Sequence, residues 1–292
     1  MRKRGFTLVE MAVVIVIISI LILTIFPAMT ALRSSSQRPL TQSNLQALMR
    51  ATAAYVQANG CLPCPMPANA TGTGFGRVRG DVNSATIPCS EKTSPCSVAE
   101  GLPPYASLGL PASTAHDGWG HWISMRVDPV LTADFGVAPP TLPCTDDDLQ
   151  TGKVTPTCET KGMSQKGLCQ KGLNKGLNNA NSIIVQSPSG DITPPSQQAA
   201  VIFISYGTTG FGSFFNTVQP NSNNGFRLPI PSTVPDCTNK TGFSRCNADG
   251  NATYIDAPAA MDGPDPYDDM LAYADRNTLV SMFGNGSCQT GW

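Results

Sequence analysis

The sequence predicts an α+β protein in which one long N-terminal helix packs on a C-terminal β-sheet with long, disulfide-held loops. Three observations carry this prediction. Residues 6–28 form an apolar run, residues 29–59 place apolar side chains at helical spacing, and the remainder holds most of the 27 glycines and 25 prolines and all 10 cysteines. Charged residues make up only 13% of the chain, against about 25% in ordinary soluble domains. The low charge and the even number of cysteines indicate an exported, loop-rich domain rather than a cytosolic enzyme.

The helix begins in a segment with the length and composition of a membrane span. A basic head, residues 1–4, precedes Gly5 and the apolar run 6–28, whose 23 residues are enough to cross about 30 Å of hydrocarbon. The basic head is expected to stay in the cytoplasm. A cleaved secretory signal fits poorly, because its apolar region is only about 7–15 residues long and its small residues follow that region.

Glu10 is a carboxylate inside this apolar run. A charged side chain in a membrane helix costs about 2.5–3.5 kcal/mol on translocon scales, so a positively charged partner is expected. The alternative is that Glu10 lies hydrated at the membrane edge and has no role.

The string Gly5-Phe6-Thr7-Leu8-Val9-Glu10, followed by the apolar helix and Pro27, resembles the class III leader of type IV pilins and type II secretion pseudopilins. The resemblance implies that prepilin peptidase cuts after Gly5 and methylates the new amine of Phe6. It implies that Glu10 pairs with this amine in a neighbouring subunit and that Pro27 kinks the helix. It also implies a pilin-like fold, in which the sheet is antiparallel.

Cleavage would supply the partner that Glu10 lacks. Removing residues 1–5 takes away three cations, moves the net charge from −1 to −4 and creates an amine near Glu10. An ammonium–carboxylate pair in apolar surroundings is costly to break once formed, so it would fix the axial register of packed helices. The chain then divides into a leader at 1–5, a transmembrane or filament-core helix at 6–28, an amphipathic helix half at 29–59 and a cysteine-rich globular β domain at 60–292.

The amphipathic half predicts the face by which the helix lies on the sheet. One helix is predicted from about residue 6 to residue 58, with candidate breaks at Pro27 and Pro39 and a stop signal at Asn59-Gly60. An apolar stripe at helical spacing is compatible with a start at Leu40 and continues through Leu45, Leu48, Met49, Thr52 and Val56.

Four strands and a short terminal helix are predicted after residue 60. The run 199–206 is the most apolar and is predicted to be the central strand. The other strands are predicted at 122–127, 182–186 and 270–274, and the helix at 277–283. The long stretches between them are expected to be held by disulfides.

The cysteines predict disulfides rather than a metal or redox site. Cys61-x-x-Cys64 has no second close pair of zinc-binding type and no βαβ context for redox chemistry. Short spacing makes Cys89–Cys96 and Cys237–Cys246 the natural pairs, although connectivity cannot be read from sequence. The ten candidates are Cys61, Cys64, Cys89, Cys96, Cys144, Cys158, Cys169, Cys237, Cys246 and Cys288.

Two histidines, His116 and His121, bracket Asp117-Gly118-Trp119-Gly120, which is similar to the Asp-Pro-Trp-Gly turn of pseudopilins. A metal site or a His–Asp base is one interpretation. The simpler interpretation is a glycine-rich turn that closes a loop, starts a strand and packs Trp119 inside. The sequence has no nucleophile elbow, phosphate loop or His-Glu-x-x-His motif, so no catalytic residue is predicted and the protein is not expected to be an enzyme.

Two acidic clusters and a lysine-rich stretch are predicted to be solvated loops and caps. Some pseudopilins carry calcium near their C-termini, and a calcium site is the alternative here. The ligand order matches no defined calcium loop, so no cofactor is expected. The near-neutral charge gives no reason to expect nucleic acid as a partner, and contact of the lysines with DNA or a polyanion is the alternative. The clusters are residues 146–148 and Asp262, Asp265, Asp268 and Asp269, and the lysines are Lys161, Lys166, Lys171 and Lys175.

As a whole, the sequence predicts a structural subunit of a type IV pilus or related filament, and its size favours a large minor subunit. The expected partners are other pilin subunits, prepilin peptidase and the inner-membrane assembly machinery. The expected location is the inner membrane, with the C-terminal domain in the periplasm, and then an extracellular or periplasmic filament. A type II secretion pseudopilin and a filament-borne adhesin or binding subunit are the alternatives.

Overall fold

The computed structural model describes one long helix and a set of segments of the β domain. The described residues are 8–59, 61–80, 90–91, 96–128, 132–134, 183–188, 190–191, 199–215, 227–238, 241–263, 266–275, 278–279 and 282.

Helix α1 spans Leu8–Asn59, which is 52 residues and about 78 Å of helix. It continues through Pro27 and Pro39, the two candidate breaks. It ends at Asn59, whose side-chain amide donates to the carbonyl oxygen of Tyr55 at 2.9 Å. This end agrees with the predicted stop, while the predicted start at residue 6 lies outside the described residues.

Across the described ranges, no helix combines the length and the apolar character needed to cross a membrane. The leader at 1–5 lies outside these ranges, and the division of α1 at residue 28 stays a prediction.

The β domain contains nine strands among the described residues, with short helical segments between them. The strands are β1 (Ser90–Glu91), β2 (Glu100–Gly101), β3 (Ser124–Val127), β4 (Ala133–Asp134), β5 (Ile184–Ser187), β6 (Gly190–Asp191), β7 (Ala199–Ser205), β8 (Thr253–Ile255) and β9 (Met270–Asp275). The helical segments are α2 (Phe243–Cys246) and the 3-10 turns Gly72–Gly74, Val78–Gly80 and Ala112–Ala115.

The main sheet has the order β2-β3-β7-β9, and each neighbouring pair is antiparallel. The three predicted strands at 122–127, 199–206 and 270–274 correspond to β3, β7 and β9, and β7 lies between the other two as predicted. The predicted strand at 182–186 is β5, which belongs to a second sheet of order β6-β5-β8. Because β5 runs parallel to β8, the expectation of an antiparallel sheet holds for the main sheet and not for this one.

The C-terminal half of α1 lies on the main sheet, as its apolar stripe predicts. The stripe residues from Leu45 to Val56 are all buried, none more than 5% exposed, and the apolar ones share one core with side chains of β3, β7 and β9. A stripe that starts at Leu40, although compatible with the sequence prediction, is not what the structure has. Leu40 is 51% exposed, because it lies about 140° around the helix from Leu45 and so points away from the core.

Strand β7 is buried along its whole length because its two faces meet different partners. On one face, Val201 and Phe203 join the core beneath α1. On the other, Ile202 and Ile204 pack with Val185 of the second sheet. A strand covered on both faces is apolar throughout rather than alternating, which explains the composition of this segment.

Two disulfides are present among the described residues, Cys64–Cys96 and Cys237–Cys246. The second is the predicted short pair. The predicted pair Cys89–Cys96 is wrong, because a backbone bridge between Met66 and Leu102 draws their two segments together and Cys96 bonds to Cys64. Cys61 is also disulfide-bonded. The remaining candidates, Cys89, Cys144, Cys158, Cys169 and Cys288, lie outside the described residues.

The predicted terminal helix at 277–283 is described only in part. Thr278 and Leu279 are helical, and Leu279 is fully buried in the core beneath α1. The amide of Met282 donates to the carbonyl oxygen of Thr278 at 3.1 Å, as in a helical turn. Residues 277, 280–281 and 283 lie outside the described ranges.

Candidate functional site

The N-terminal part of α1 presents apolar side chains to the surroundings. Met11 and residues 13–18 are each between 44% and 60% exposed. The hydroxyl of Ser19 donates to the carbonyl oxygen of Ile15 at 2.8 Å, so this polar side chain is satisfied within the helix. A contiguous exposed apolar surface of this kind marks an interaction site, because burying it against lipid or other apolar helices is favourable.

The four residues predicted to direct processing and assembly lie on or before this helix. Gly5 and Phe6 lie outside the described residues. Glu10 and Pro27 are helical residues of α1. The cleavage after Gly5, the methylation of Phe6, the pairing of Glu10 and the kink at Pro27 stay predictions.

Further along α1, a turn of the domain holds the helix through directional hydrogen bonds. We call residues 116–121 the clasp turn. The hydroxyl of Thr41 accepts the amide of Gly118 at 2.9 Å while donating to the carbonyl oxygen of Gln37 at 2.9 Å. The side-chain amide of Asn44 donates to the carbonyl oxygen of His116 at 2.8 Å. Gly118 lies so close to α1 that a Cβ atom there would be 2.2 Å from the carbonyl oxygen of Gln37, which only glycine permits.

Asp117 connects the clasp turn to the end of β7. One carboxylate oxygen accepts the amides of Trp119 at 3.0 Å and His121 at 2.9 Å, and the other accepts the hydroxyl of Ser205 at 2.8 Å. Burial raises the pKa of the Asp117 carboxyl, and the hydrogen bonds from Ser205 and His121 act in the opposite direction. Nδ1 of His121 lies 3.0 Å from the carbonyl oxygen of Gly207. The turn is therefore bonded to the helix on one side and to the sheet on the other.

The two histidines thus have structural contacts, as the simpler interpretation predicts. Nδ1 of His116 lies 3.0 Å from the carbonyl oxygen of Ala112, and its ring packs on Trp122 with 3.8 Å between ring centroids. The prediction that Trp119 packs inside is wrong, because Trp119 is only half-buried. Trp122 instead forms the aromatic cluster, with Phe75 and Tyr105. In the described part of the chain, no group of three or more His, Cys, Asp or Glu side chains is arranged to hold a metal.

A buried ionic cluster behind the main sheet was not predicted from the sequence. Glu100 forms ion pairs with Arg126 and Arg227, and accepts a hydrogen bond from the hydroxyl of Tyr254 at 3.0 Å. The side chains of the three charged residues are between 6% and 9% exposed. The Arg227 guanidinium lies over the ring of Phe214, 4.1 Å from its centroid. Because Glu100 and its partners are far apart in sequence, no local pattern could have indicated the cluster.

Hydrogen bonds extend this cluster to the acidic residues before β9. Arg227 donates to the hydroxyl of Tyr206 at 2.7 Å, which donates to the carbonyl oxygen of Asn247 at 3.1 Å. The side-chain amide of Asn247 donates to Asp269 at 2.8 Å. Burial raises the pKa of Asp269 well above its usual value.

The two acidic residues before β9 are not part of a solvated turn. Asp268 is 2% exposed and Asp269 6% exposed, so the prediction of solvation is wrong for both. Asp268 caps the loop after β7, where it accepts the amides of Thr208 and Thr209. Asp262 is exposed as predicted. Asp265, residues 146–148 and the four lysines lie outside the described residues.

Comparison with known proteins gives one match. No curated protein and no solved structure matches the chain. Residues 1–26 match the family described as the prokaryotic N-terminal methylation motif. This motif is the class III prepilin leader, and its presence is consistent with the type IV pilin and pseudopilin family.

Proposed function

We propose that this chain is a structural subunit of a type IV pilus, processed after Gly5, methylated on Phe6 and assembled through α1. The observation that carries the proposal is the exposed apolar surface at 11–18, which lies within the residues matched by the methylation motif, on a helix that is hydrogen-bonded to the domain further along. Other subunits are the partners that would bury this surface. Before assembly, residues 6–28 would hold the subunit in the inner membrane with its domain in the periplasm.

Glu10 has the central role in this proposal. Cleavage removes Arg2, Lys3 and Arg4 and leaves the amine of Phe6 as the nearby cation. Within packed apolar helices, an unpaired carboxylate is strongly disfavoured, so Glu10 would pair with the amine of the adjacent subunit. Such a pair allows only one axial offset between neighbours.

The size of the domain supports a minor subunit rather than the main repeating one. The β domain spans residues 60–292, and its loops would lie on the outer surface of a filament. The carboxylate of Glu100 is occupied by Arg126, Arg227 and Tyr254, which suits a structural role better than a catalytic one.

The first experiment purifies filaments from cells that produce the chain and analyses its N-terminal peptide by mass spectrometry. The proposal expects a peptide that begins with N-methylated Phe6. A chain that still begins at Met1, or filaments that lack the chain, would contradict it. Filaments outside the cell support a pilus, whereas accumulation confined to the periplasm would support a secretion pseudopilus instead.

The second experiment compares Glu10→Ala with Ser19→Ala. Ser19 is a matched control because it lies on the same helix and its hydroxyl bonds within that helix. Loss of the Glu10 pair is expected to reduce incorporation at least tenfold, because breaking a buried pair costs about 3–5 kcal/mol and a tenfold change needs only about 1.4 kcal/mol. Equal incorporation of both variants would rule out the pairing.

A further inference from the structure

The geometry points to the clasp turn as a positioning element that sets the direction in which α1 leaves the domain, and so controls assembly. Thr41 and Gly118 are its positioning residues. The part of this inference that concerns filaments rests on the proposed function. The part that concerns the helix can be tested on the isolated protein.

Because α1 is long, a small change in its angle at the clasp turn displaces its N-terminal end by a large distance. From Gln37 back to Leu8, α1 runs for 29 residues, or about 43 Å. A tilt of about 10° at Gln37 would move the start of the helix by about 8 Å. Packed helices lie only about 8–10 Å apart, so such a displacement would prevent neighbouring helices from packing in register.

The core beneath α1 does not provide this control by itself. Apolar contacts are non-directional, and the core begins at Leu45, eight residues after Gln37. Hydrogen bonds depend on angle as well as distance, and the clasp turn makes them at Thr41 and Asn44, on the side of the core from which the free helix emerges.

The clasp turn is also fixed to the sheet, so it can transmit the orientation of the domain to the helix. Asp117 receives hydrogen bonds from the turn and from Ser205 at the end of β7. Gly118 touches the backbone of Gln37, so the turn leaves no space in which the helix could shift towards it. Helix, turn and central strand thus form one continuous set of contacts.

The chain offers a matched pair of substitutions on one helix face. Thr41 and Thr52 are both fully buried in α1. The Thr41 hydroxyl accepts the Gly118 amide, whereas the Thr52 hydroxyl has no hydrogen-bond partner among the described residues. Thr→Val keeps the shape of either side chain and removes only the hydroxyl. Thr41→Ser keeps the acceptor and serves as the rescue variant, and Ile183→Val, in the core of the second sheet, controls for lost stability.

The test uses the full chain. Hydrogen exchange of peptides containing Gly118 is measured by mass spectrometry in detergent, and incorporation is measured in purified filaments. Thr41→Val is expected to speed exchange at the clasp turn about tenfold and lower incorporation at least fivefold. The control variants are expected to match the parent in both exchange and incorporation. They are Thr41→Ser, Thr52→Val and Ile183→Val, the last compared where its thermal midpoint equals that of Thr41→Val.

The inference is overturned if Thr41→Val leaves exchange at the turn unchanged, or if it opens the turn and still assembles like the parent. It is also overturned if Thr52→Val or Ile183→Val lowers incorporation as much, since the effect would then be one of general stability. Absence of the parent chain from filaments would contradict the proposed function, while the exchange results would still decide whether Thr41 holds the turn on the helix.

Discussion

At the scale of single residues, Glu100 joins two arginines in the buried ionic cluster of the described residues. Burial lowers the pKa of the Arg227 guanidinium, but the interactions with Tyr206 and Glu100 outweigh it and raise that pKa above its usual value. Burying three charges is costly unless each is paired, so the cluster is stable only while Glu100 is present.

Replacing Glu100 by Ala is therefore expected to lower the free energy of unfolding by about 3–5 kcal/mol, because both arginines would remain buried without their carboxylate. The measurement is denaturant unfolding of the purified protein. Asp236→Ala is the matched control: Asp236 lies 3.9 Å from Arg245 but its side chain is 99% exposed, so no change in stability is expected. Equal effects of the two substitutions would show that the buried ion pairs of Glu100 contribute no more to stability than the exposed pair of Asp236.

Asp269 shows the opposite situation, a buried carboxyl with too few partners. One of its oxygens accepts from Asn247, and the other has no hydrogen-bond partner among the described residues. Burial raises the pKa of Asp269, and the neighbouring Asp268 adds to the shift. The neutral form is thus the one that the folded protein favours.

This predicts that stability falls as pH rises. An unfolded Asp loses its proton near pH 4, whereas folded Asp269 keeps its proton to higher pH. Above about pH 4 the folded state therefore binds more protons than the unfolded state. Each further pH unit lowers the free energy of unfolding by up to about 1.4 kcal/mol until the folded pKa is passed. The thermal midpoint of Asp269→Asn, which is neutral at every pH, is expected to fall less between pH 5 and pH 8. The pKa values of Asp117 and Asp256 are also raised by burial, so the variant keeps a smaller slope. Parallel curves for parent and variant would contradict the assignment.

At the scale of elements, the single helix α1 has two different apolar surfaces, one exposed and one buried. Residues 11–18 are exposed and apolar, whereas the stripe from Leu45 to Val56 is buried on the sheet. The stripe was predictable because helical periodicity is local. Leu40 is apolar but exposed, because it lies about 140° around the helix from Leu45, whereas Thr41, about 40° from Leu45, is fully buried.

The two disulfides whose cysteines are both described differ in the lengths of chain that they close, and this predicts their relative contributions. Cys64–Cys96 spans 32 residues and Cys237–Cys246 spans 9. Loop-closure entropy gives about 3.7 kcal/mol for the first and about 2.6 kcal/mol for the second. The double variant Cys64→Ala/Cys96→Ala is therefore expected to unfold at lower denaturant concentration than Cys237→Ala/Cys246→Ala. The reverse order would show that local packing outweighs loop length.

At the scale of the whole molecule, the apolar surface of α1 is the feature that a partner must cover. Val14 and Ile18 lie one helical turn apart, 44% and 49% exposed. Changing both to Ser is expected to reduce self-association of the full chain on removal of detergent, because less apolar area is buried per contact. Light scattering measures the effect. Leu40→Ser, at a residue of similar exposure outside this run, is the control, and an equal reduction by it would assign the association elsewhere on the chain.

The sequence alone determined those features that depend on neighbouring residues. The methylation motif, the long helix, its buried stripe, the central strand and the pair Cys237–Cys246 all follow from composition or spacing within short segments. The tertiary structure decided the others: the bond from Cys64 to Cys96, the second sheet, the approach of Gly118 to Gln37 and the pairing of Glu100 with Arg227. These join residues separated by tens to more than a hundred positions, and such contacts arise only when the packed core brings distant segments together, so they leave no local pattern in the chain.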